Sequence, residues 1–214
     1  MIRVNIGCGQ TPTTGWRNFD NSLSLRLAKI PFLPLVLLKA GLIEHPQYQF
    51  IQFARSNLIE YGDATKGLPL PTGSVDVFYS SHMFEHLDQN EAVLFLEEAR
   101  RILCSGGIIR LAVPDLRKQV ESYIESKDCD AFIFATRLTQ PRPRKIAQRL
   151  GILLMGTRHH QWMYDGQSLC RLLQVHGFVD PQILNAGDTR IDHPQALNLH
   201  ERASESVYVE AINP

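Results

Sequence analysis

A chain of 214 residues, 44% hydrophobic and 21% charged, has the make-up of an ordinary globular protein and enough length to bury a core without staples. Its 22 basic and 22 acidic side chains cancel, so there is no overall basic footprint and no nucleic-acid partner is expected. Cys8, Cys104, Cys129 and Cys170 form no Cys-x-x-Cys pair, which argues against a zinc ribbon or a disulfide framework and for a reducing, cytoplasmic setting.

The first strand is predicted at 2–7 and leaves no room for a signal peptide. It runs straight into Gly7-Cys8-Gly9, and a second strand at 16–20 ends on Asp20. Two glycines let the backbone turn sharply and let a ligand approach its N–H groups. A carboxylate ending the next strand is placed to accept from both hydroxyls of a ribose. Pro12 stands where the dinucleotide fingerprint needs its third glycine, and Asp20 comes well short of the expected interval of about 20 residues. There is no Gly-Lys-Ser/Thr for a triphosphate, so a ligand with ribose but no phosphate fits best. Cys8 is read as a small neutral filler between the two glycines.

Residues 21–57 form an apolar excursion broken by Pro31 and Pro34. Arg26, Lys29 and Lys39 make it a poor membrane span. A lid, a dimer contact and a membrane-surface contact are all open to it. Packing on its own domain or on a second subunit is preferred to the membrane. A third strand at 58–62 ends at Asp63-Ala64, and a fourth at 75–80 ends at Ser81-His82-Met83-Phe84-Glu85-His86.

A helix follows at 88–103, with Asp88 and Glu91 as a capping box and Ala92, Phe95, Leu96, Ala99, Ile102 and Leu103 on one face. Gly106-Gly107 ends it before a strand at 107–113. The second excursion, 116–165, contains five basic residues and no acidic one between Arg137 and Arg149, then the apolar run Leu150 to Met155. It suits a cap recognising an anionic substrate, or a solvated helix face. A helix at 166–176, capped by Asp165 and stopped by Gly177, leads to strands at 178–185 and 205–212. The last strand follows a loop rather than a helix, as an antiparallel insertion would.

Strands alternating with helices predict one α/β domain, 1–214, with a doubly wound, mostly parallel Rossmann-like sheet. Ligands of open α/β sheets bind outside the carboxyl ends of the strands. Polar or small residues collect at four such ends: Gly7-Cys8-Gly9, Asp20, Asp63-Ala64, and Ser80 to His86. His82, His86, His159 and His160 are the candidate bases, with His82 and His160 favoured at the crevice mouth. His82 to His86 also spell H-x-x-E-H, a zinc-peptidase pattern. That pattern needs both histidines on one helix face, whereas here the segment follows a strand, so no metal is expected.

Three segments, 4–20, 62–87 and 97–115, resemble class I S-adenosylmethionine-dependent methyltransferases of the type 11 kind. His160 to Asp165, Gly177-Phe178 and the SVYVEA ending are similar to one branch of that family. The resemblance implies a seven-stranded sheet with an antiparallel last strand, S-adenosylmethionine as cofactor and S-adenosylhomocysteine as product. It implies that Gly7 and Gly9, with Cys8 between, face the methionine part, Asp20 the ribose, Asp63 and Ala64 the adenine edge, and Ser80, Ser81 and His82 the methionine side. The family usually places a full helix between its first two strands, and only 10–15 are available here.

The expected activity is methyl transfer to oxygen or nitrogen of a small-molecule or lipid- or sugar-linked acceptor, by a monomer or homodimer. A non-catalytic S-adenosylmethionine-binding partner protein and a NAD-dependent oxidoreductase are the alternatives.

Overall fold

The computed structural model describes residues 1–139, 149 and 159–214. Most of the basic segment, including Arg142 and Arg144, and the apolar run after it lie outside the described residues. Seven strands form: β1 (Arg3–Ile6), β2 (Arg17–Asp20), β3 (Glu60–Tyr61), β4 (Val75–Ser81), β5 (Leu103–Pro114), β6 (Val179–Leu184) and β7 (Ser206–Ile212). They make one sheet in the order β3-β2-β1-β4-β5-β7-β6. β1 to β5 pair in parallel, and β7 runs antiparallel to both β5 and β6, as expected of a last strand reached through a loop.

The helices are α1 (Leu23–Ala28), α2 (Leu33–Lys39), α3 (His45–Ser56), α4 (Gln89–Ile102), α5 (Leu116–Ser126), α6 (Cys129–Thr136) and α7 (Gly166–Val175), with a 3₁₀ turn at Phe84–His86. The apolar excursion 21–57 becomes α1 to α3, and the Arg55 guanidinium ties them by donating to Ala28 O and Ile30 O. No helix among the described residues is long and apolar enough to cross a membrane.

Helix α4 starts where its sequence says it should. Asp88 accepts from Glu91 N at 2.8 Å, and Glu91 returns a bond to Asp88 N at 3.0 Å. Its predicted face, Ala92, Phe95, Leu96, Ala99 and Ile102, is buried against Phe78, Ile109 and Leu111 of the sheet. The helix ends at Ile102 rather than at the glycines. Gly106, at φ 79°, instead falls inside β5, where the pairing with β4 shifts register.

The opposite face of the sheet is covered differently. Trp16, Val77 and Tyr79 pack against Ile191 and Leu197 from the irregular connection between β6 and β7. Beneath it Arg110 and Glu210, both fully buried and paired across β5 and β7, meet at 2.6 Å. Glu210 also accepts from Thr189 Oγ1 and Arg190 N, so its carboxylate is well supplied with donors.

No helix forms between β1 and β2. The amide of Asn5 donates to Thr11 O and Thr13 Oγ1, while Asn18 accepts from Thr13 N and donates to Thr13 O and Trp16 O. Two buried side-chain amides thus satisfy a short parallel crossover that a helix would otherwise span.

Candidate active site

The sheet order reverses between β1 and β4, and the carboxyl ends of these two strands open the crevice. At the end of β1, Gly7 and Gly9 take positive φ of 69° and 49°. Gly7 has a second reason to lack a side chain: a Cβ there would lie 2.4 Å from Met83 Cγ. The loop after β4 therefore rests directly on the glycine turn.

Gly7 N and Cys8 N both donate to Phe19 O, at 2.8 and 3.1 Å, so these amides hold β1 to β2. Gly9 N instead donates to Asp20 Oδ2 at 3.0 Å, and Ser22 N to Asp20 Oδ1 at 2.8 Å. Burial raises the Asp20 pKa, against the pull of those two amides. An ionised carboxylate has about four lone-pair sites, so Asp20 keeps acceptor capacity for two hydroxyls. Burial, with the charge of Asp20 adding to it, pushes the Cys8 thiol up to about 12. Cys8 is therefore a neutral thiol, as its place between the glycines suggested.

At the end of β3, Asp63 accepts from Thr65 N, Thr65 Oγ1 and Lys66 Nζ. Burial alone would push its carboxyl up, but the Lys66 and Thr65 bonds outweigh it and hold the group below its ordinary value. Ala64 is buried beside it. At the end of β4 the two serines divide: Ser80 Oγ donates to Ile6 O at 2.9 Å, whereas the buried Ser81 Oγ has no hydrogen-bond partner among the described residues. An unsatisfied hydroxyl at the end of β4 and a carboxylate with spare acceptor sites at the end of β2 fit a ligand carrying both donors and acceptors.

The histidines converge on a residue that the sequence left in the background. Glu85, 1% exposed, has its Oε1 3.6 Å from His82 Nδ1, 3.9 Å from His86 Nε2 and 3.8 Å from His160 Nε2. His82 and His160 are themselves buried, and His86 has the most exposed side chain of the three. His160 is brought in because Gln161 N and Trp162 N both donate to Glu85 O. Burial lowers the His160 pKa; the charge of Glu85 opposes this and His86 adds to it. His159, the remaining candidate, meets this group through its carbonyl, which accepts from His86 Nδ1 at 3.0 Å. The one signal for Glu85 in the sequence was the H-x-x-E-H spelling itself.

A family model described as "Methyltransferase domain" matches residues 44–111, which include Asp63, Ala64 and the whole Ser80 to His86 segment but not Gly7 to Asp20. Over those residues the chain matches a methyltransferase domain, and its sheet has the fold of class I S-adenosylmethionine-dependent methyltransferases. The cofactor of such a methyltransferase is S-adenosylmethionine, and S-adenosylhomocysteine is its product.

Solved structures agree with this fold. The methyltransferase aligns over 100% of its length with 82% of a Thermotoga maritima protein described as a possible histamine N-methyltransferase, at TM-score 0.52 and 15% identity. It aligns over 98% of its length with 91% of a methyltransferase from Methanosarcina mazei, at TM-score 0.52 and 13% identity. A third, from Archaeoglobus fulgidus, is matched over 99% of this chain and 86% of its own at TM-score 0.51 and 14% identity. No curated protein matches this methyltransferase.

Proposed function

We propose that the methyltransferase acts on an oxygen or nitrogen of a small-molecule or lipid- or sugar-linked acceptor held over the carboxyl ends of β4 and β5. The observation that carries this reading is the histidine–glutamate group immediately after β4, beside the loop that rests on Gly7. Gly9 and Asp20 hold the ribose end, and Asp63 with Ala64 borders the adenine. The unpartnered Ser81 hydroxyl meets the methionine side, with Gly7, Cys8 and Ser80 shaping the walls.

Bound S-adenosylmethionine supplies a methyl group already activated by the sulfonium. The chain's contribution is orientation, which can supply about 7–11 kcal/mol, and proton removal, worth about 10²–10⁴-fold. His82 is the base in this proposal. Its Nε2 bonds Ser206 Oγ at 2.8 Å, and its unpartnered Nδ1 faces Glu85. Glu85 stabilises the imidazolium that forms, and His160 on the other side of Glu85 shares that charge. The five basic residues of the stretch 137–149 suit an anionic acceptor.

Two measurements test this. Thermal shifts with S-adenosylhomocysteine and with NAD should show stabilisation by the first alone, and a shift with NAD alone overturns the assignment. In a tritiated-methyl assay over a panel of oxygen and nitrogen acceptors, His82→Ala and His160→Ala should each slow transfer at saturating acceptor at least about tenfold. If neither does so, neither histidine handles the proton. Tight S-adenosylhomocysteine binding with no turnover on any acceptor favours the non-catalytic partner.

A further inference from the structure

We propose that Glu85, His86 and His160 form a binding site for a divalent transition-metal ion of the zinc class. Glu85 is buried, and neither of its carboxylate oxygens receives a hydrogen bond from the described residues. Three imidazole nitrogens lie within 3.9 Å of Glu85 Oε1, and the hydrogen bonds of these rings decide what the nitrogens present. His86 Nδ1 faces the carbonyl of His159 at 3.0 Å, which only accepts, so Nδ1 carries the hydrogen and Nε2 turns a bare lone pair toward Glu85. Ser206 Oγ gives its one hydrogen to Glu201 O, so it accepts from His82 Nε2, and His82 Nδ1 is bare as well.

With these rings neutral, the buried carboxylate is faced by the lone pairs of His86 and His82, an arrangement that a cation at its centre satisfies. The separations of 3.6 to 3.9 Å exceed the roughly 2.7–2.9 Å of a charge-assisted hydrogen bond. Donors bonded to one ion at about 2.0–2.2 Å in a tetrahedron lie about 3.3–3.6 Å apart. The three proposed ligand atoms all lie within 4.8 Å of one another, so side-chain shifts of about an ångström or less bring them onto a common ion.

Two imidazoles and one carboxylate suit zinc and its first-row neighbours better than magnesium or calcium, and they leave a coordination position open. The His86 carbonyl contact is the kind of outer bond that orients a metal-bound imidazole. His86, with 31% of its side chain exposed, gives the ion a route from solvent. These ligands differ from the helical His82–His86 pair of the zinc-peptidase pattern: the third comes from 75 residues downstream of Glu85 and ties that segment to the end of β4.

The test uses the whole chain, stripped with a chelator, reloaded with zinc and gel-filtered. Elemental analysis should find about one zinc per chain, and cobalt loading should give a visible absorption band. Glu85→Gln and His86→Ala should each weaken zinc binding about tenfold or more. Zinc below about a tenth of an equivalent, or equal zinc in the wild type and both variants, overturns the proposal. His86→Ala alters a partly exposed ring and carries the comparison if Glu85→Gln does not fold. S-adenosylhomocysteine titrations on the same samples report on the cofactor end separately: zinc retained without cofactor binding defeats the methyl-transfer reading and leaves this one standing.

Discussion

Gly7 and Gly9 share a turn and a positive φ, yet replacing them by alanine should have different consequences. Each alanine is forced into the left-handed region, which costs about 1–2 kcal/mol. At Gly9 nothing lies within 4 Å of the added carbon, and the cost ends there. At Gly7 the carbon meets Met83 Cγ at 2.4 Å and Met83 Cβ at 2.8 Å, so the loop after β4 must move. Repacking of that kind costs a further 1–3 kcal/mol or so. The expected losses are therefore about 2–5 kcal/mol for Gly7→Ala against about 1–2 kcal/mol for Gly9→Ala. At roughly 2–4 °C per kcal/mol for a chain of this size, thermal unfolding resolves the two.

Met83→Ala removes the obstructing side chain, so the double variant Gly7→Ala/Met83→Ala should be less damaged than the sum of its parts by about 1 kcal/mol or more. Gly7→Ala should also weaken S-adenosylhomocysteine binding in calorimetric titration, because Met83 leads directly from Ser81 and His82. Equal stability losses at the two glycines, together with additivity in the Met83 cycle, would refute the claim that the β4 loop is seated on Gly7.

Asp20→Asn should raise the S-adenosylhomocysteine Kd by about 10–100-fold, the worth of a hydrogen bond to a charged acceptor. Burial raises the Asp20 pKa, and only the ionised form accepts from both ribose hydroxyls. Affinity should therefore fall as pH drops through a value above the ordinary aspartate range, while Asp20→Asn stays flat; parallel profiles would remove Asp20 from the ribose. Arg110→Ala strands the buried Glu210 carboxylate and should cost about 3–5 kcal/mol in urea unfolding. Arg110→Met combined with Glu210→Leu should recover most of that, and a single-variant loss under about 1 kcal/mol would contradict the buried pair.

Much of the cofactor end was legible residue by residue. What that covers is local structure: the glycine turn at Gly7 and Gly9 and the strand ending on Asp20 were readable because strand, turn and strand lie within 20 residues, and Pro12 departs from the dinucleotide pattern over the same short span. The capping box at Asp88 and the stripe from Ala92 to Ile102 could be placed because helix starts and faces are local properties. The histidine–glutamate group was less legible. H-x-x-E-H is a pattern of helices, whereas Phe84–His86 form a 3₁₀ turn, and Glu85 was not singled out within it. Nothing near it in sequence indicates that Gln161 and Trp162 will donate to its carbonyl. The cover over Trp16 and Tyr79 was missed for a similar reason: the connection between β6 and β7 has no periodicity, and only packing reveals that Ile191 and Leu197 do the work of a helix.

By itself the sequence determined where the seven strands and the helices after Asp88 and Asp165 lie, to within a few residues, and that polar groups gather at the carboxyl ends of several strands. Those properties follow from backbone geometry, caps and the alternation of apolar residues over a few turns or pleats. Tertiary structure alone decided that Arg110 meets Glu210 across 100 residues and that His160 returns to Glu85 across 75. A charged side chain carries no mark of the partner it will be buried with. That partner is chosen by strand register and loop packing, which depend on the whole sheet being assembled.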